Sequence, residues 1–341
     1  MAKPKLSLIN RILFLLNNVF AIALLISFLI PKLLPEKYGI FALLSLLTPA
    51  LIIINFIFVI YWILIGFKKQ VIVSFLVLLL SLLFIPPVYK FYNNNDNGDS
   101  SSLSIMTYNV RKFNMYKWID DNAIHSKISD LIVKENPDIV ALQEFKNTKN
   151  FKIVYPYTYN PLVSRKTRSS LAIYSKYPII NKGVIKYNKY YIRIMFADIV
   201  KNDDTLRIYN FHLESLGVIP DEDFFGHKDS EKLIKRLRNS FKNQQQQIGT
   251  LNAHIEGCKY RVILAGDLNN TAYSWAYKNV KNDFKDSFLE AGKGFGKTYE
   301  FKKFPLRIDY IFADKSMKFI SHKNLNQKLS DHYPISATLE F

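Results

Sequence analysis

The feature that most constrains this chain is where its apolar residues lie. Nearly all of the first ninety positions are apolar, and the remainder reads as an ordinary water-soluble sequence. Between residues 9 and 30 the only charge is Arg11, and residues 40–65 and 71–88 carry none. At 1.5 Å of rise per residue, twenty-odd helical residues cover a hydrocarbon core of about 30 Å. Three transmembrane helices are therefore expected, with Thr48-Pro49 kinking the second and Pro86-Pro87 closing the third. A cleaved leader is the weaker reading of the first run, because no small-residue cleavage site follows it.

Orientation follows from the short flanks. Lys3, Lys5 and Arg11 lie at the start, and Lys68-Lys69 fill the turn between the second and third runs. Both flanks favour the cytoplasm, so the segment after the third run is expected outside it, in a multi-pass membrane protein with an extracytoplasmic soluble domain. Lys32 and Lys37 against Glu36 make the other loop a weaker basic cluster. Residues 93–102, rich in Asn, Asp and Ser, read as a linker; they lack the glycine placement and terminal Glu of a calcium loop. The expected division is an anchor at 1–92, a linker at 93–102 and a soluble domain at 103–341. The single cysteine, Cys258, excludes an intramolecular disulfide and a cysteine-ligated zinc or iron–sulfur centre.

Of 46 Lys and Arg and 28 Asp and Glu, eight and two fall in the first 98 residues, leaving 38 against 26, a net +12, on residues 99–341. That balance attracts polyanions, whether nucleic acid, anionic lipid or small phosphoesters. Strand-like runs recur at 103–109, 139–144, 170–175, 194–200, 206–213, 261–267, 306–313 and 335–341. Helical spacing appears at 123–136, before Pro137, and through the long polar stretch 228–256, a lid or flanking helix. The fold class is mixed α and β.

The ends of the apolar runs share one property: they carry a carboxylate, amide or imidazole. Asn109, Glu144, His212 and Asp267 with Asn269 end their runs, Asp309 stands in a strand-like run and Asp331-His332 precede the last one, and a packed sheet gathers such strand ends at one rim. Hard oxygens from Glu144, Asp267, Asp331, Asn109 and Asn269 suit Mg²⁺ or Mn²⁺ and metal-assisted phosphoryl chemistry. An imidazole beside a buried carboxylate either stays protonated against a phosphate or helps activate water.

Six motifs, MTYNVR, IVALQE, YNFHLES, ILAGDLN, RIDYIF and SDHYPI, in that order, resemble the endonuclease/exonuclease/phosphatase superfamily of DNase I-like nucleases, abasic-site endonucleases, inositol-polyphosphate phosphatases and neutral sphingomyelinases. The resemblance spans about Leu103–Phe341. It implies a four-layer αββα sandwich with the active site at one end. It further implies Glu144 as principal metal ligand, with Asn109 and Asp331 completing the metal site. Asp267 would orient or deprotonate the attacking water and Asn269 position it, Asp309 would pair with His332, and His212 would touch the phosphate. No covalent intermediate is implied.

The expected activity is thus Mg²⁺-dependent (or Mn²⁺-dependent) hydrolysis of a phosphodiester or phosphomonoester. A nuclease is favoured by the net +12; a phospholipid, sphingomyelin or inositol-phosphate hydrolase is the alternative favoured by the tether. A non-catalytic binding module would be expected to lose an acidic ligand, and none is lost. The expected partners are the phosphate-ester substrate and the bilayer, with no protein partner. Arg165, Lys166 and Arg168 are candidates to hold a second phosphate or to stand solvated. The stretch 291–298 imitates a phosphate-binding loop, but with no strand before it and no helix after it a turn is expected. His125, His227, His254 and His322 are expected at the surface.

Overall fold

The computed structural model describes residues 6–66, 68–91, 102–161, 170–186, 193–217, 227–301 and 304–341. Nearly all of the expected linker, and Arg165, Lys166 and Arg168, lie outside the described residues, as does the side chain of His227.

The apolar third folds as helices α1 (Leu8–Ser27), α2 (Pro35–Tyr38), α3 (Leu44–Leu64) and α4 (Lys68–Phe84). Between helices with apolar surroundings, hydrogen bonds and close contact provide the adhesion that water would otherwise drive. Trp62 Nε1 donates to Asn17 Oδ1 at 2.8 Å, joining α3 to α1, and Ser74 Oγ donates to Asn55 Oδ1 at 2.8 Å, joining α4 to α3. Large apolar side chains such as Ile22, Phe56 and Ile57 point outward from the bundle. By length and composition Leu8–Lys32 and Phe41–Leu64 could each cross a membrane. The third run differs from expectation: its helix stops at Phe84, ahead of the proline pair, and at 17 residues covers only about 26 Å.

The rest of the chain runs β1 (Leu103–Asn109), α5 (Arg111–Asn114), α6 (Ile124–Glu135), β2 (Ile139–Phe145), β3 (Tyr157–Tyr159), β4 (Ser170–Ser175), β5 (Ile179–Ile185), β6 (Ile194–Lys201) and β7 (Asp204–His212). There follow α7 (His227–Glu256), β8 (Arg261–Asp267), α8 (Trp275–Lys281), β9 (Phe284–Asp286), α9 (Ser287–Ala291), β10 (Tyr299–Phe301), β11 (Phe304–Leu306), β12 (Asp309–Asp314), β13 (Lys318–Asn324) and β14 (Ile335–Glu340). Two six-stranded sheets, in orders β13-β14-β1-β2-β4-β3 and β5-β6-β7-β8-β12-β9, pack face to face, and β10-β11 form a separate ribbon. Strand alternation builds the four layers. Leu103 and Ile105 meet Ile208, Ile263 and Ile311 between the sheets, while Met106 and Tyr108 face Ile128 and Ile132 of α6. On the far side Val262 and Leu264 face Ile248 and Leu251 of α7. The long polar stretch is therefore a flanking helix.

The inward-facing rows change character along the strands. The apolar row holding Ile105 and Ile139 in one sheet and Ile208 and Ile263 in the other is followed, two residues on, by Thr107, Ala141, Asn210 and Ala265. There Gln143 Nε2 donates to Asn210 Oδ1 at 2.7 Å and to Thr107 Oγ1 at 2.9 Å, tying the two sheets together directly beneath the rim. One further step reaches Asn109, His212 and Asp267.

Candidate active site

The centre is built at the carboxyl ends of parallel pairs. In the second sheet His212 of β7 is the register partner of Asp267 of β8, which is in turn the partner of Asp309 at the start of β12, so three ionisable side chains stand in one row. The close approach of β7 and β8 there requires glycine: a Cβ on Gly266 would fall 2.0 Å from the Phe211 carbonyl oxygen. The first sheet supplies Asn109 from β1, whose Nδ2 donates to Asp267 Oδ2 at 3.0 Å across the interface between sheets.

Glu144 reaches the same rim by a different device. Simple alternation would send it outward, since Gln143 already points in. The β2–β4 register shifts between Leu142 and Phe145, and Glu144 takes a left-handed backbone with φ 46°. That bulge turns the carboxylate toward the rim and returns Phe145 to the outer apolar cluster. Asn269 is also left-handed, at φ 52°, as are Arg111 to Asn114. Strained non-glycine backbones thus surround the rim and point to function.

His332 Nδ1 lies 2.9 Å from Asp309 Oδ2, and its Nε2 lies 3.7 Å from Asp267 Oδ2. Burial opposes a charge on this imidazole, yet Asp309, Asp267 and Asp331 outweigh it and hold His332 well above its ordinary value. His212 goes the other way. Burial, then Arg193, His332 and Lys112, push it well below, so it is neutral at pH 7, with Nε2 3.6 Å from Asp267 and 3.9 Å from Glu144. Asp267 is fully buried, and that burial together with Asp309 raises it against His332 and the bonds from Asn109 and the Asn269 backbone. Asn269 N donates to Asp267 Oδ1 at 2.7 Å and its Nδ2 to the Leu213 carbonyl at 3.0 Å.

Asp267, Asp309 and His332 offer ligand atoms within 4.8 Å of one another. A protonated imidazole whose Nδ1 is bonded to a carboxylate is a poor ligand, however. Glu144 fits a divalent cation better: its carboxylate is part-exposed at the rim, with Lys112 Nζ at 4.0 Å and His212 Nε2 at 3.9 Å, both outside hydrogen-bond reach. Asp331 stands at the same rim but is engaged by the Arg111 guanidinium, and Ser330 Oγ ties the loop to the Asn109 carbonyl at 2.8 Å. All eight residues singled out in the sequence are thus brought to one rim. Sequence reasoning missed Arg111 and Lys112, the cations that face the two rim carboxylates; Arg111 was in view within MTYNVR. It also misplaced His322, which is buried against Ser287, while His254 meets the Tyr209 hydroxyl.

Residues 106–332 match the Endonuclease/Exonuclease/phosphatase family, and the chain belongs to it. Residues 10–88 match a domain of unknown function, DUF8431. Similar solved structures include a mannosyl-6-phosphatase from Bacteroides thetaiotaomicron, 17% identical with TM-score 0.51, the match covering 70% of this chain and all of that one. An endonuclease/exonuclease/phosphatase from Bacteroides vulgatus is 18% identical with TM-score 0.51, covering 71% and 100%. One from Beutenbergia cavernae is 15% identical with TM-score 0.52, covering 71% and 72%. These likenesses establish the DNase I-like αββα sandwich. No curated protein matches the chain.

Proposed function

We propose that this protein is a membrane-anchored, divalent-metal-dependent phosphoesterase in which water attacks phosphorus directly. The observation that carries the reading is the convergence of Asn109, Glu144, His212, Asp267, Asn269, Asp309 and His332 on one rim, where His332 Nδ1 lies 2.9 Å from Asp309 and Asn109 donates to Asp267. Glu144, Asn109 and Asp331 would hold Mg²⁺ or Mn²⁺, which when bound polarises a phosphoryl oxygen and offsets developing charge. Asp267, raised by burial, accepts the proton of the attacking water, and Asn269 fixes the loop that places it. His332, kept charged by Asp309, and neutral His212 each present an N–H to phosphate oxygens. The water oxygen bonds to phosphorus, the bond to the leaving oxygen breaks, and that oxygen takes its proton from solvent.

The net +12 of residues 99–341 supports nucleic acid as substrate, and the phosphatase among the structural relatives supports a phosphomonoester. Hydrolysis of plasmid DNA, RNA, sugar phosphates and lipid phosphoesters by the full chain, with Mg²⁺ and with chelator, tests the reading. Turnover abolished by chelator supports it; none on any substrate refutes it.

For topology we propose an anchor at 1–92, a linker at 93–102 and a catalytic domain at 103–341 lying outside the cytoplasm. Supporting this, the segment between α1 and α3 and the first turn of α3 touch the sandwich: Glu36 pairs with Lys242 at 2.8 Å, and Thr271 Oγ1 donates to the Ser45 carbonyl at 2.9 Å. That segment and the sandwich then share one side of the bilayer. Alkaline phosphatase fused after Ser102 should be active, and an inactive fusion with a bright cytoplasmic reporter would reverse the assignment.

A further inference from the structure

The catalytic rim opens into a cavity of about 620 Å³ whose two ends differ in chemistry. One end holds Asn109, Glu144, Asn269, Asp331 and His332, with Arg111 and Lys112 beside them. The other is apolar, and three of its wall residues, Leu46, Leu47 and Ala50, come from the first two turns of α3, a helix long and apolar enough to cross a membrane. Leu216, Leu233 and Leu237 close the same end.

The contact between sandwich and bundle makes this arrangement firm. The loop that follows the catalytic Asp267 hydrogen-bonds to the start of α3 through Thr271, and Tyr273 packs among Ala21, Leu24, Leu51 and Val77 of the helices. Across this junction the exposed aromatics Tyr89, Phe91 and Phe295 cluster, with Tyr89 4.8 Å from Phe91 and 4.9 Å from Phe295. Aromatic rings of this kind suit the headgroup level of a bilayer.

One face of α3 runs on from the cavity along the exposed side of this apolar helix. Leu46 and Ala50 are followed at spacings of three and four by Ile53, Ile57, Ile60 and Leu64, which share a stripe on an α-helix. The last four are exposed, at 40%, 57%, 43% and 78%. A soluble polyanion has no use for such a wall, and water in the cavity gains nothing from it. A hydrocarbon chain does.

We propose that the substrate is a membrane lipid phosphoester, admitted sideways from the bilayer, with its phosphate at the catalytic rim and its chain laid along the Leu46–Ala50–Ile53 face of α3. This rests on the phosphoesterase reading above and names the substrate class of the same site. The reaction transfers the phosphoryl group to water, leaving the lipid alcohol or diacylglycerol in the membrane and releasing the phosphate-bearing fragment.

The test uses the full chain in phosphatidylcholine vesicles carrying phosphatidic acid or phosphatidylglycerol, beside the dihexanoyl, water-soluble forms of both lipids and a DNA duplex. Wild type should cleave a long-chain lipid in preference to DNA. Ala50→Phe, which fills the channel, and Leu47→Gln, which makes its wall polar, should each lower long-chain turnover by at least about tenfold. Both should lower the dihexanoyl rate by a far smaller factor, since that substrate has little chain to place, and wild-type unfolding midpoints report that the variants are folded. A second reading needs no turnover: phosphatidic acid with brominated chains should quench the fluorescence of Leu47→Trp beyond that of wild type, whose own tryptophans are Trp62, Trp118 and Trp275. Cleavage of DNA or soluble phosphoesters without long-chain lipid would overturn the lipid assignment and leave the phosphoesterase reading standing. Equal losses on long and short chains, or no quenching beyond that of wild type, would also overturn it. Inactivity on every substrate would instead refute the phosphoesterase reading.

Discussion

Two buried carboxylates in the same sheet show opposite designs. Asp286, on β9, is satisfied at both oxygens: Arg307 Nη1 and the Tyr277 hydroxyl reach Oδ2 at 2.6 Å each, and Phe288 N reaches Oδ1 at 2.9 Å. The guanidinium is itself covered by the rings of Phe288 and Tyr310, each 4.7 Å away. Burial would raise Asp286, but Arg307 and these bonds more than reverse it, so its carboxylate sits below the ordinary range. Asp267, on β8, is equally buried but has Asp309 beside it, and both imidazoles stand beyond hydrogen-bond distance. Its carboxylate is raised. Both carboxylates accept hydrogen bonds at each oxygen, Asp267 from Asn109 Nδ2 and the Asn269 backbone, so what closes the Asp286 cluster is a contacting cation, and a second carboxylate in place of one leaves the Asp267 cluster open.

Removing the partner from the closed cluster should have the largest effect. Arg307→Met leaves Asp286 buried without its cation and should cost about 3–5 kcal/mol of stability, seen as a lowered unfolding midpoint, while the fraction that remains folded keeps its turnover. A midpoint unchanged from wild type would show that the pair contributes nothing. In the open cluster, Asp309→Asn should lower turnover by about 10–100-fold and alter its pH profile with little change in unfolding. Identical pH profiles would mean that Asp309 does not hold the His332 proton.

The smallest effect concerns His322, which lies beside the closed cluster and is pushed down to about 4 by burial, against the pull of Asp286. Its folded value is below its unfolded one of about 6.5, so the unfolded chain binds the extra proton. Stability is therefore full above about pH 6.5 and falls as pH drops toward 4, by at most about 1.4 kcal/mol per pH unit. His322→Asn should flatten that slope, and an unaltered slope would place the acid sensitivity elsewhere.

The sequence disclosed the interior of this molecule better than its margins. Central strands β1, β4 and β8 coincide with their apolar runs because both faces are covered, which leaves near-continuous hydrophobic stretches. The strands that left no such signal are edges: β5, with Asn181-Lys182-Gly183 in its middle, and β13, carrying His322 and Lys323, need bury only one side. Helix α6 was legible from its spacing, and left-handed Asn136 before Pro137 ends it. The eight rim residues were legible because each stands at or beside an end of an apolar run: Asn109, Glu144, His212, Asp267 and Asn269 where one closes, and Asp309, Asp331 and His332 where one opens. The bulge that aims Glu144 was not, since register shifts depend on the partner strand. Nor was the apolar wall contributed by α3, which the docking of the sandwich on the bundle, through Thr271 and Lys242 among others, brings to the cavity.

The central claim is that Glu144 anchors a divalent cation that serves phosphoester hydrolysis at this rim. Its most direct test measures Mn²⁺ binding and Mg²⁺-dependent hydrolysis of a soluble phosphodiester on the same preparations of wild type and Glu144→Gln, alongside their unfolding midpoints. The account predicts that the variant unfolds like wild type, loses tight Mn²⁺ binding, and loses at least about 100-fold of turnover, more than the outer partner of a ligand would cost. Wild-type Mn²⁺ affinity with wild-type turnover in Glu144→Gln would contradict it.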